Sequence, residues 1–114
     1  MNTTARILDK IDTPRDLRNL NLEELNLLAQ EMRELIIKKV NTTGGHFGPN
    51  LGIVETTIAM HYVFNSPTDK IVFDVSHQCY PHKIITGRKE CFTNPESYLK
   101  YTGYTAPEES EHDF

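Results

Sequence analysis

Residues 42–83 read TTGGHFGPNLGIVETTIAMHYVFNSPTDKIVFDVSHQCYPHK, and the fold turns on how this stretch is read. Its middle predicts a helix from about Leu51 to Phe64. Leu51, Val54, Ile58, Ala59, Tyr62 and Val63 recur at helical spacing and offer a broad face for burial. Asn65-Ser66-Pro67 ends that helix. The run Lys70 to Val75, KIVFDV, is short, apolar and rich in β-formers, with turn residues on both sides. That pattern predicts the central strand of a parallel sheet. Helix, turn and strand in this order predict an α/β fold that is mostly helical in this chain. A lone strand leaves its edges unsatisfied, so the pattern also predicts that other strands complete the sheet.

Two histidines flank this frame. His46 lies in TTGGHFGPN, a loop with three glycines and a proline that opens the helix. Glycines allow close backbone approach, and free N–H groups at a helix start favour anions. On that reading His46 moves a proton for a substrate. Spacing alone favours a plain interhelical loop with a solvent-facing histidine. His77 follows the strand with Ser76 and Gln78, at the carboxyl end where α/β sheets bind ligands. The same three residues also suit a polar cluster tied to nearby backbone.

Other chemistry-bearing residues have weaker patterns. His77 and His82 are separated by Pro81, and neither HExxH nor a Cys/His zinc spacing occurs, so no metal site is expected within the chain. Cys79 could act as a nucleophile with a histidine base, or be a plain buried thiol. Asp74 could orient a histidine or end the strand. His61 reads as structural. Arg88 and Lys89 could attract phosphate or form a solvated pair.

Working outward, residues 1–12 read as a flexible arm and 13–114 as an incomplete domain. Thr13, Pro14 and Asp16 predict a short helix ending near Leu20. Asn21 and Glu24 predict the capped start of a stronger helix. Leu25, Leu28, Met32, Leu35, Ile36 and Val40 make its apolar stripe, while Glu31, Lys38 and Lys39 fall on the polar side. Gly44 suits a positive φ at its end. Pro81 starts another short helix, ending near Gly87, and the remainder to Phe114 reads as loop.

Composition narrows the function classes. The chain has 114 residues, net charge −4 and 38% hydrophobic residues. No Lys/Arg stripe suggests nucleic-acid binding, and no long apolar run suggests a membrane span. No signal peptide is evident at the N-terminus, so a cytoplasmic location with reduced Cys79 and Cys91 is expected.

The ordered set GGHFG, AMHYVF, DVSHQ and YPHKIITGR resembles the N-terminal segment of the 1-deoxy-D-xylulose-5-phosphate synthase family. These are transketolase-like thiamine-diphosphate enzymes. The resemblance starts near TPRDLRNLNLEEL and runs to the end of the chain. It implies a parallel-sheet domain that binds thiamine diphosphate and Mg2+. It implies condensation of pyruvate with D-glyceraldehyde 3-phosphate, with release of CO2. The product serves isoprenoid, thiamine and pyridoxal synthesis, and the enzymes are homodimers. By the same resemblance His77 contacts the cofactor, His46 handles protons or substrate near the reacting carbon, and His82 supports them. Ser76 stands where the family usually has glycine, and Pro49 and Asn50 where it often has alanine or serine. The family's diphosphate loop, magnesium ligands and activating glutamate lie beyond this sequence, so the chain alone is expected to be inactive. Two other readings fit: a non-catalytic or split-subunit relative that needs a complementing chain, and a sister transketolase-type enzyme with other substrates.

Overall fold

The computed structural model describes residues 6–45, 47–74 and 77–114, with the Phe47 side chain left out. The longest element is helix α1, Leu22–Thr43. Its start is local chemistry: the Asn21 side chain accepts from Glu24 N–H at 2.8 Å, and Glu24 accepts from Asn21 N–H at 3.0 Å. Its end is equally local, with Gly44 at φ 82° and its N–H on the Val40 carbonyl. Leu28, Met32, Leu35, Ile36 and Val40 are buried, and Leu25 packs at the edge of the core.

Two short helices follow, α2 (Phe47–Gly52) and α3 (Val54–Val63), where one continuous helix is expected from the sequence. Val54 and Ile58 reach the core, but Ala59, Tyr62 and Val63 are exposed. They border an apolar hollow shared with Leu22 and Leu25 of α1. Arg18, from the 3-10 turn Pro14–Asn19, caps the far end of α3. Its guanidinium donates to the Tyr62 carbonyl at 3.0 Å and to Asn65 Oδ1 at 2.7 Å. The N-terminal segment is tied down as well. Leu8 and Ile11 are core residues, and Glu31 of α1 accepts from both Ile7 and Leu8 N–H at 2.9 Å.

The expected strand Lys70–Val75 is absent: there is no strand among the described residues, and Val75 lies outside them. A strand is held by a neighbour's hydrogen-bond ladder, and residues 70–74 have none. Their side chains still alternate. Phe73 is buried against the His82 ring, while Val72 and Asp74 face outward.

Helix α4 (Tyr80–Lys83) continues into a π-type turn, Ile84–Arg88, which breaks at Gly87 with φ 92°. Helix α5 (Glu90–Thr93) comes next, then a 3-10 turn, Pro95–Ser97. The sequence reads as loop from Arg88 onward, so α5 and this turn correct that reading; beyond them the chain has no regular structure, yet it is firmly placed by charge. Arg88 donates to both carboxylate oxygens of Asp113 at 2.7 Å, and to Glu109 at 2.9 Å. Lys83, fully buried, donates to Glu109 at 2.8 Å and to the Thr102 carbonyl at 2.6 Å. Asp113 also lies 3.0 Å from His82 Nε2, and His82 Nδ1 lies 2.8 Å from His61 Nε2. The ionised Asp113 sets the proton positions. His82 donates through Nε2, so its Nδ1 accepts from His61. The remaining nitrogen, His61 Nδ1, has no hydrogen-bond partner among the described residues and on this assignment carries no proton, so it is not a stranded donor.

Burial favours the neutral forms of the two acids. Hydrogen bonds from Arg88, His82 and Ala106 N–H outweigh it at Asp113, whose carboxyl is held well below its usual range. Lys83 does the same for Glu109. Burial also pushes His61 down from 6.5 to about 3.

These shifts fix the sign of the pH dependence. An unfolded chain protonates His61 near 6.5 and the two acids near 3.8 and 4.5, while the folded chain resists. Stability is therefore present above those values and lost as pH falls. Urea midpoints are expected to decline from pH 6.5 downward, at up to about 1.4 kcal/mol per unit from His61 alone. His61→Gln should flatten the part of the decline above 4.5. Asp113→Ala removes the bidentate partner of buried Arg88, leaving it Glu109 alone as a charged partner, and should cost about 3–5 kcal/mol. Glu111→Gln, on the same segment but exposed, should stay within about 0.5 kcal/mol.

Candidate functional site

The candidate site forms where the loop after α1 meets the turn before α4. Asn50 makes the join. It is 3% exposed, and its Oδ1 accepts from Tyr80 N–H at 2.9 Å, so α2 is bonded to the first residue of α4. The intervening turn presents His77 and Gln78, both half-buried. Together with Asp74 they border an open hollow of about 500 Å³, whose other wall is Gly48, Pro49, Gly52 and Ile53.

The glycines are informative. Gly48 and Gly52 are four apart on α2 and so share a face. Among the described residues, and apart from chain neighbours and the helix's own backbone, a Cβ added at either would meet nothing within 4 Å. The chain's own packing does not require glycine there, although glycine is a costly helix residue. The bare wall leaves room opposite an imidazole and an amide, a donor and acceptor set suited to a polar heterocycle or a phosphate.

A second hollow, of about 450 Å³, lies behind Gly44 and Gly45 and includes Lys39, Thr43, Tyr80 and Tyr104. Gly45 holds φ 133°, with the Tyr80 hydroxyl 3.6 Å from where a Cβ would stand. Tyr104 of this second hollow also touches a residue of the first: its ring centroid lies 5.6 Å from that of His77, tilted by 54°.

The other sequence candidates have different fates. His46 lies outside the described residues, as does Ser76. His82 and His61 are core residues in the chain that ends on Asp113. Arg88 is consumed by the acids, and Lys89 donates to the Leu8 and Ile11 carbonyls at 3.0 and 2.7 Å, so neither is a phosphate ligand. Cys79 is fully buried and burial pushes its thiol up to about 11, which removes the thiolate a nucleophile needs. Among the described residues no group of three or more His, Cys, Asp or Glu could hold a metal ion.

Sequence reasoning missed Lys39. It is 2% exposed, donates to the Cys91 and Tyr98 carbonyls, and sits among the rings of Tyr80, Phe92 and Tyr98. Burial lowers its pKa. It missed Glu109, Asp113 and Tyr104 too. The one signal available was the acidic run EESEHD set against the basic run HKIITGRK.

Comparison with known proteins bears on this geometry directly. The profile of 1-deoxy-D-xylulose-5-phosphate synthase matches residues 8–114. The chain belongs to that family. A 1-deoxy-D-xylulose-5-phosphate synthase of Nocardia farcinica is 52% identical over 108 residues, covering 95% of this chain and 17% of the relative. Those of Desulfotalea psychrophila and Halothermothrix orenii are 50% and 53% identical over 97% and 96% of this chain. The chain thus corresponds to an N-terminal segment of the synthase family, spanning about 17% of the length of these relatives. The hollow beside His77 lies inside the matched region, as do both ends of the Arg88–Asp113 pair.

Two substitutions test how the synthase segment builds the hollow. Gly52→Ala meets no atom and should stabilise the chain by about 0.4–1 kcal/mol in urea unfolding. Asn50→Ala leaves the buried Tyr80 N–H without that acceptor and should cost about 1–3 kcal/mol.

Proposed function

We propose that this chain is one wall of the active site of a thiamine-diphosphate-dependent transferase. The enzyme condenses pyruvate with D-glyceraldehyde 3-phosphate to give 1-deoxy-D-xylulose 5-phosphate and CO2, for isoprenoid, thiamine and pyridoxal synthesis. The observation that carries the reading is the hollow itself. His77 and Gln78 face a wall stripped of side chains at Gly48 and Gly52, within a segment that matches the synthase family.

The residues present fit part of the cofactor. His77 and Gln78 would hold it by hydrogen bonds, and Gly48 and Gly52 would let it approach α2 closely. When bound, the cofactor supplies the electron sink that decarboxylation needs. His46, by its place in the GGH loop, would move a proton or hold substrate at the reacting carbon. On this reading the diphosphate and its Mg2+ are held by the rest of a longer polypeptide or by a complementing chain; the described residues offer no cluster of three or more His, Cys, Asp or Glu. Residues 13–114 are then the start of a parallel-sheet domain, and the 70–74 segment becomes a strand once neighbours supply its ladder. The wider assembly is a homodimer in the cytoplasm. No described helix is long and apolar enough to cross a membrane.

The experiment is a chimera in which this chain replaces the matching segment of the Nocardia farcinica synthase. The chimera should form 1-deoxy-D-xylulose 5-phosphate. His46→Ala should lower kcat by about 100-fold or more, the size of a general acid or base contribution. His77→Ala should weaken thiamine diphosphate binding by about tenfold, the loss of one hydrogen bond to a charged ligand. The 114-residue chain alone, with cofactor, Mg2+ and both substrates, should show no turnover. A folded but inactive chimera, or one indifferent to both histidines, would refute the proposal and favour a non-catalytic relative.

A further inference from the structure

His77 is held from one side by a residue that the family resemblance did not single out. Tyr104 packs its ring against the His77 imidazole across 27 positions of sequence, at 5.6 Å between centroids. Tyr104 is itself half exposed, so core packing does not fix it. What fixes it is the turn at residues 102–104. The Thr102 hydroxyl accepts from Tyr104 N–H at 3.3 Å and lies 2.9 Å from the Tyr104 carbonyl. Thr102 N–H donates to Glu109 Oε2 at 3.1 Å, and the Thr102 carbonyl accepts from Lys83 at 2.6 Å. Glu109 and Lys83 pair with each other, and Arg88 joins them. Gly103 is held from beneath by the Cys79 thiol on its carbonyl at 3.4 Å. The backbone groups named here are bonded within the turn, to Glu109, or to the α4 region that follows His77.

We infer that Tyr104 is a positioning residue for His77, set in place by the Lys83–Glu109 clamp on Thr102. The ring packs against the imidazole, and His77 itself lines the hollow bordered by Gly48 and Gly52. A histidine on a turn has two soft side-chain torsions, and a tilted aromatic neighbour is worth about 0.5–1.5 kcal/mol toward one of its orientations. That corresponds to a preference of about 2-fold to 12-fold for the orientation that faces the hollow. The functional consequence rests on reading His77 as a cofactor contact; the contact between the rings does not.

The test is histidine-ring NMR of the 114-residue chain labelled at its five histidines, without any cofactor. Tyr104→Leu removes the ring and should shift the His77 resonances, leaving those of buried His61 and His82 in place. Tyr104→Phe keeps the ring and should keep the His77 shift. Thr102→Val removes an exposed hydroxyl but keeps the backbone carbonyl that accepts from Lys83, so it should spare the fold. It should move His77 in the same direction as Tyr104→Leu, by loosening the turn that carries Tyr104. A His77 signal unmoved in folded Tyr104→Leu overturns the assignment. Should that variant unfold, an unmoved His77 in Thr102→Val overturns it. Chimera activity that survives His77→Ala would instead defeat the cofactor reading and leave the Tyr104 contact standing.

Discussion

Arg88 and Asp113 face each other through two hydrogen bonds of 2.7 Å, with both side chains at most 3% exposed. Neither charge could be buried alone: an isolated ion in the interior costs several kcal/mol, and only paired, well-bonded geometry offsets it. The rest of the C-terminal half follows from that constraint. Asp113 also accepts from Ala106 N–H, and Glu109 from Thr102 N–H, so a segment without regular structure has its backbone donors satisfied by its own acids. The same acids neutralise Lys83 and Arg88 of the α4 region. Two elements that local propensity would never join are locked together by charge that water cannot screen.

The lock connects to both halves of the molecule. Through His82 and His61 it reaches α3, and through Lys83 and Thr102 it reaches the turn beside His77. On the other side, Asn50 bonds α2 to α4. The hollow therefore sits between two points that are both held by buried polar contacts, with two glycines, Gly48 and Gly52, on one wall. Such a frame suits a site that must keep an imidazole in place while a ligand occupies the bare side. It also explains why this piece of a synthase can pack a core of its own. Leu28, Met32, Ile36, Val54, Ile84, Ile85 and Phe92 are all fully buried without the remaining length of the relatives.

What the sequence made legible was what is local. The Asn21–Glu24 box, the Leu28–Val40 stripe and the positive φ of Gly44 each depend on neighbours within a few residues, and each is found where the pattern puts it. The KIVFDV run failed as a strand because a strand is a relation between segments, and no described segment supplies its ladder. Ala59, Tyr62 and Val63 failed as core for the same reason: their spacing is right, but nothing described covers them. Lys39, Lys83 and Arg88 defeated pattern reading most completely. Their composition reads as a polar surface. They are buried because Tyr98, Glu109 and Asp113, from 59 to 25 positions away, close over them. His77 was placed beside its hollow by position after an apolar run, and Tyr104 was invisible because an aromatic in a loop carries no periodicity.

The central claim is that buried charge, and not regular structure, holds residues 102–114 against α4. Native-state hydrogen exchange of the Ala106 amide tests it most directly, because that N–H donates to Asp113 Oδ2 at 2.8 Å and belongs to no helix or strand. At neutral pH its opening free energy should match that of amides in the middle of α1, the value for global unfolding. An Ala106 amide that exchanges at the rate of an unstructured peptide while α1 stays protected would contradict the account.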